Sequence, residues 1–97
     1  DHDDFVTFPV TLDGAPSRDE LLERIRKAVT GHGILRLKGF AAVDGAPARF
    51  VVQATGPRVD GWFDRPWRDG EPRRTELVVI GLKGLDERAV RSALGAG

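Results

Sequence analysis

The chain has 97 residues, 40% of them hydrophobic and 31% charged, with fifteen basic side chains balanced by fifteen acidic ones. That length holds one domain with a modest core, and zero net charge argues against nucleic acid as the partner. The absence of cysteine excludes disulfides, thiolate metal sites and cysteine nucleophiles.

No apolar run approaches the ~20 residues of a membrane span. No signal-peptide pattern opens the chain, so a cytoplasmic location without membrane contact is expected. Asp1-His2-Asp3-Asp4 carries no apolar group and reads as the end of a polar His/Asp-rich linker, with the domain proper spanning 5–97. Phe5 to Leu12 places Val6, Phe8, Val10 and Leu12 at period two, the mark of a strand, and Pro9 assigns it to a sheet edge or a bend. Ser17 stands three residues before Glu20, a capping box, and opens a helix over 18–30. Leu21, Leu22, Ile25, Ala28 and Val29 supply its apolar stripe, and Gly31 is the expected left-handed stop.

Residues 33–55 read as a hairpin turning at Asp44-Gly45. Gly39 inside its first arm marks a bulge or a close backbone approach. A short strand is expected at Val59–Phe63, followed by a polar loop over 64–74. The run Leu77-Val78-Val79-Ile80, within a strand from Thr75 to Leu82, is continuous enough for burial on both faces. Asp86 is a good N-cap for a last helix carrying Ala89, Val90, Ala93 and Leu94, and Gly95 ends it.

The order βαββ(β)βα defines an α+β two-layer sandwich, an antiparallel sheet of four to five strands with two helices on one face. The expected core is Leu21, Ile25, Val29, Leu35, Leu37, Phe50, Val52, Leu77, Val79, Val90 and Leu94.

Catalytic patterns are missing. There is no Gly-x-Ser-x-Gly, no phosphate loop and no Gly-x-Gly-x-x-Gly. Gly31-His32-Gly33 is too short to cradle a phosphate, and Asp60 and Asp64 stand among arginines as surface ion pairs. Residues 58–74 stand out because they hold both tryptophans and five arginines. Trp and Arg are the residues most enriched in binding hot spots. One reading makes Trp67, Arg65 and Arg68, with Trp62 and the exposed Arg49 and Gln53, a docking surface. The other has Trp67 pinning the loop to the sheet edge. Asp1, His2, Asp3 and Asp4 offer oxygen and imidazole ligands for cobalt, nickel or zinc, with His32 as a further donor, although four adjacent residues on a tail are not preorganised.

The stretches Gly33-Ile34-Leu35-Arg36-Leu37-Lys38-Gly39-Phe40, Val51-Val52-Gln53-Ala54, Phe63-Asp64-Arg65-Pro66-Trp67-Arg68 and Arg74–Leu82 resemble the C-terminal domain of CobW-type proteins. These are phosphate-loop GTPases linked to cobalt handling in cobalamin biosynthesis. The resemblance runs in order from Phe5 to Leu94. It implies GTP and cobalt or zinc as cofactors of the whole family protein. Partners implied are the protein's own N-terminal GTPase domain and a cobaltochelatase client. The family's nucleotide motifs and its Cys-x-Cys-Cys element belong to that N-terminal domain, so no catalytic or cofactor-binding residue carries over and these 97 residues are not expected to act as an enzyme. The expected role is a protein-interaction and regulatory module for metal delivery, with a metal-binding module or an oligomerisation domain as the alternatives.

Overall fold

The computed structural model describes residues 4–96. Five strands and two helices follow one another as β1 (Phe5–Leu12), α1 (Arg18–His32), β2 (Ile34–Ala41), β3 (Ala48–Thr55), β4 (Arg58–Pro66), β5 (Thr75–Leu82) and α2 (Glu87–Leu94). The strands form one sheet in the order β1-β5-β2-β3-β4, every pair antiparallel. Since β5 lies between β1 and β2, those two strands run parallel, and β1-α1-β2 is a crossover split by the later strand. The α+β sandwich expected from the sequence is what forms, and Pro9 sits on an edge strand, where its missing N–H costs least.

Local chemistry sets the ends of the elements. The Ser17 hydroxyl accepts the Glu20 N–H at 3.1 Å, and the Asp86 carboxylate accepts the Ala89 N–H at 3.1 Å. Gly95 closes α2 in the left-handed region. The first helix overruns its expected stop. It passes through Gly31 and ends at Gly33, whose φ is 69°. Of the two glycines only Gly33 turns left-handed, and turning there delivers Ile34 into the sheet with its side chain inward.

The core lies between the helices and one face of the sheet. Phe8 and Val10 from β1, Leu37 from β2, Phe50 and Val52 from β3, and Leu77 and Val79 from β5 meet Leu21, Ile25, Val90 and Leu94. Leu35 does not join them. It is 37% exposed while Ile34 is 3% exposed, because the β2–β5 register shifts between Ile34 and Arg36 and makes Leu35 the extra residue of a bulge. A second shift, between Arg49 and Phe50, makes Asp64 the extra residue of β4.

Among the described residues, nothing covers the opposite face of the sheet. Leu77 and Val79 are buried, but Val78 and Ile80 remain partly exposed, so β5 is not buried on both sides as its apolar run predicts. Both helices lie on the other face. The expected loop is also shorter, since β4 runs on through Asp64 and Arg65 to Pro66.

Candidate functional site: the open face of the sheet

Strand alternation sorts side chains between the helix layer and the open face. Arg36, Lys38 and Phe40 of β2 face the open side, as do Arg49, Val51 and Gln53 of β3, Trp62 of β4, and Val78 and Ile80 of β5. Close backbone approach at the centre of this sheet needs Gly39, where a Cβ would collide with the Glu76 carbonyl oxygen across the β2–β5 pair. Near β1, a groove of about 430 Å³ is bounded by Pro9, Lys38, Phe40, Val51, Gln53 and Val78.

At one end of this face the aromatic and arginine residues close on one another. The Trp67 and Phe40 rings meet edge to face with centroids 6.0 Å apart, and the Arg49 guanidinium lies 4.8 Å from the Phe40 centroid. Arg49 also holds Asp64 in a two-pronged pair, Nε to Oδ1 at 3.2 Å and Nη2 to Oδ2 at 2.6 Å. That hydrogen bonding keeps the Asp64 carboxyl below the ordinary carboxylate range.

The loop after β4 is tied down in the same way. Arg65 donates to both oxygens of Glu71, at 2.9 and 2.7 Å, and the Arg68 N–H donates to Glu71 Oε1 at 2.9 Å. Three donors on one carboxylate lower the Glu71 pKa to about 2, the Arg65 hydrogen bonds contributing most. Trp67 is only 6% exposed and donates its backbone N–H to the Pro47 carbonyl at 3.2 Å. Its position matches the structural pin rather than an exposed anchor.

The residues singled out from sequence therefore divide. Arg49 and Gln53 share the open face with Trp62, which is 44% exposed. Arg65 is engaged by Glu71, and the Arg68 side chain is exposed beside it. Sequence reasoning passed over Arg36, Lys38, Val51, Val78 and Ile80. The available signal was the apolar run of β5, with two basic residues, Arg36 and Lys38, two apart on its neighbour β2.

Asp1, His2 and Asp3 lie outside the described residues. Asp4 is exposed, and its carbonyl accepts the Lys83 N–H at 2.8 Å. Among the described residues no three His, Asp or Glu side chains converge on a point where a metal could bind. No helix among them is long and apolar enough to cross a membrane.

The chain is a small α+β unit with both helices on one face of its five-strand sheet. The model of the cobalamin synthesis protein cobW C-terminal domain matches residues 5–97, and the chain belongs to that family. It is 47% identical over 96 residues to the zinc chaperone CobW of Sinorhizobium sp, covering 99% of this chain and 27% of that protein. Against the zinc chaperone CobW of Pseudomonas aeruginosa it is 50% identical over 74 residues, 76% of this chain and 20% of the relative. A crystal structure of a Zn(II)-bound triple mutant of the YjiA GTPase superposes with a TM-score of 0.76 at 29% identity, covering 93% of this chain and 28% of that one. The chain thus spans about a quarter of the length of these relatives.

Proposed function

We propose that this chain is the non-catalytic C-terminal domain of a metal-handling GTPase, and that it works in the cytoplasm as a protein-interaction module during metal delivery. The names of its relatives make zinc the preferred metal over cobalt. The observation that carries the reading is the uncovered apolar face on a domain whose helix layer already completes its core. GTP chemistry, in this reading, belongs to the portion of the relatives that this chain does not span.

The test uses lysine-directed crosslinking of the chain in an extract of its own cells, with mapping of the attachment sites. Lys38 lies on the open face, Lys27 on α1 and Lys83 just after β5. The reading expects discrete partner adducts that persist when residues 1–4 are removed. Saturable zinc or cobalt binding that disappears with residues 1–4, without any partner adduct, would replace it with a metal-binding module.

A further inference from the structure

The open face is apolar, uncovered and unbalanced in charge, and these properties together define its occupant. The run Leu77-Val78-Val79-Ile80 has the pattern of a strand covered on both sides, yet no second layer of the described residues lies over Val78 and Ile80. Val78, Val51, Phe40 and Pro9 border one groove, and Ile80 continues the apolar surface into the adjoining hollow beside Arg36.

Several charges at the margins of this side pair with one another. Asp64 pairs with Arg49, Asp60 with Arg58 and Glu76 with Arg74. Arg36 and Lys38 are exposed, two residues apart on the same side of β2, and neither has an acidic partner among the described residues. β2 is the middle strand of the five. Two cations in the middle of an apolar floor call for carboxylates on whatever lies there.

The same observations dispose of two other occupants. A second copy stacked face to face with the two-fold axis over the central strand β2 would bring the central cations against their own counterparts. A permanent cover from the same protein would favour a more apolar surface, because lasting interfaces deplete charge at their core. Thr7, Thr11, Gln53 and Thr55 on the same side fit a reversible contact instead. Strands ~4.8 Å apart make a five-strand sheet roughly 20 Å wide, which accommodates a helix about 10 Å across lying over β2.

We propose that the open face takes an amphipathic helix of a separate partner protein, its apolar stripe on Val78, Val51 and Phe40 and its Asp or Glu side chains on Arg36 and Lys38. This rests on the interaction-module reading and names the class of partner.

The probe is a fluorescein-labelled amphipathic helical peptide of leucine, alanine and glutamate, beside a twin with lysine at each glutamate. Binding is read by anisotropy at low salt and mapped by amide chemical shifts. The acidic peptide is expected to bind at least about tenfold more tightly than its twin, with shifts confined to residues 36–40, 51–53 and 76–80. The double variant R36E/K38E, both positions exposed, is expected to keep its melting temperature and to reverse the preference.

Equal binding of the two peptides, no binding of the acidic one, or shifts confined to α1 and α2 would overturn the proposal. So would sedimentation of the free chain as a dimer whose R36E/K38E variant stays dimeric. If the peptides fail while partner adducts persist on Lys27, the docking face is wrong and the interaction module stands. Absence of adducts as well removes both.

Discussion

Trp67 and Phe40 meet edge to face 6.0 Å apart, so the tryptophan that follows β4 is held against the middle strand of the sheet. The contact anchors residues 67–74 and completes one end of the open face. Replacing Trp67 by alanine is expected to cost about 3 kcal/mol, the low end for truncating a buried aromatic. In a domain of this size that lowers the melting temperature by more than about 10 °C. Thermal unfolding followed by circular dichroism checks this; an unchanged melting temperature would show that the ring holds nothing in place.

The Glu71 clamp makes the same loop sensitive to acid. Its pKa falls from the usual 4.5 to about 2 on folding, chiefly through the Arg65 hydrogen bonds. A depressed folded pKa contributes stability that is fully present above pH 4.5 and disappears as the pH falls through about 2. Asp64, held low by Arg49, shifts in the same direction. The variant Glu71→Gln is therefore expected to be less stable than the unsubstituted chain at pH 7 and to match it near pH 2. Parallel melting curves across that range measure the convergence, and a constant gap would contradict it.

Neighbouring positions on β2 separate burial from sequence hydrophobicity. Ile34→Ala is expected to cost about 3 kcal/mol, whereas Leu35→Ala is expected to fall within about 0.5 kcal/mol, as exposed positions do. Denaturant titration of both variants distinguishes them. Equal costs would mean that the bulge is absent in solution.

Gly39→Ala tests the close approach of β2 and β5. The added methyl collides with the Glu76 carbonyl oxygen, which belongs to backbone and has no rotamer to escape into. A loss of at least about 2 kcal/mol is expected, in the range of overpacking a tight site. A neutral substitution would show that the strands can separate there without penalty.

Most of the fold was legible because local signals agreed. The Ser17 capping box, the Asp44-Gly45 turn, the Asp86 cap and the period-two apolar residues of β1 each identify an element and lead to the same sandwich. Gly39 is legible as a bulge or a close approach, the two common uses of glycine within a strand, and its contact with the Glu76 carbonyl oxygen selects the second. The bulge at Leu35 was not. Ile34 and Leu35 are equally apolar, and only the register against β5 decides which one points inward. The end of α1 is not legible, because Gly31 and Gly33 are both competent stops and tertiary docking of Ile34 selects the second.

The candidate site was half legible. Clustering of tryptophan and arginine drew attention to residues 58–74, but pairing consumes much of that chemistry internally: Arg49 with Asp64, Arg65 with Glu71, Trp67 with Phe40. Composition cannot reveal that. The β5 run predicts burial on both faces, but only the Leu77 and Val79 side is buried, because both helices pack on that face and leave Val78 and Ile80 partly exposed.

The central claim is that the bare face of the sheet, rather than the tryptophan–arginine loop, recognises the partner. The direct measurement is the yield of crosslinked partner for Val78→Asp, taken together with its melting temperature. Val78 is half-exposed and lies opposite Lys38, so the aspartate meets a cation and the fold is expected to keep its melting point within about 5 °C, the effect of roughly 1 kcal/mol. Placing a charge in the apolar floor is expected to reduce partner capture by about tenfold or more. A fully folded Val78→Asp chain that captures its partner as well as the unsubstituted one would contradict the account.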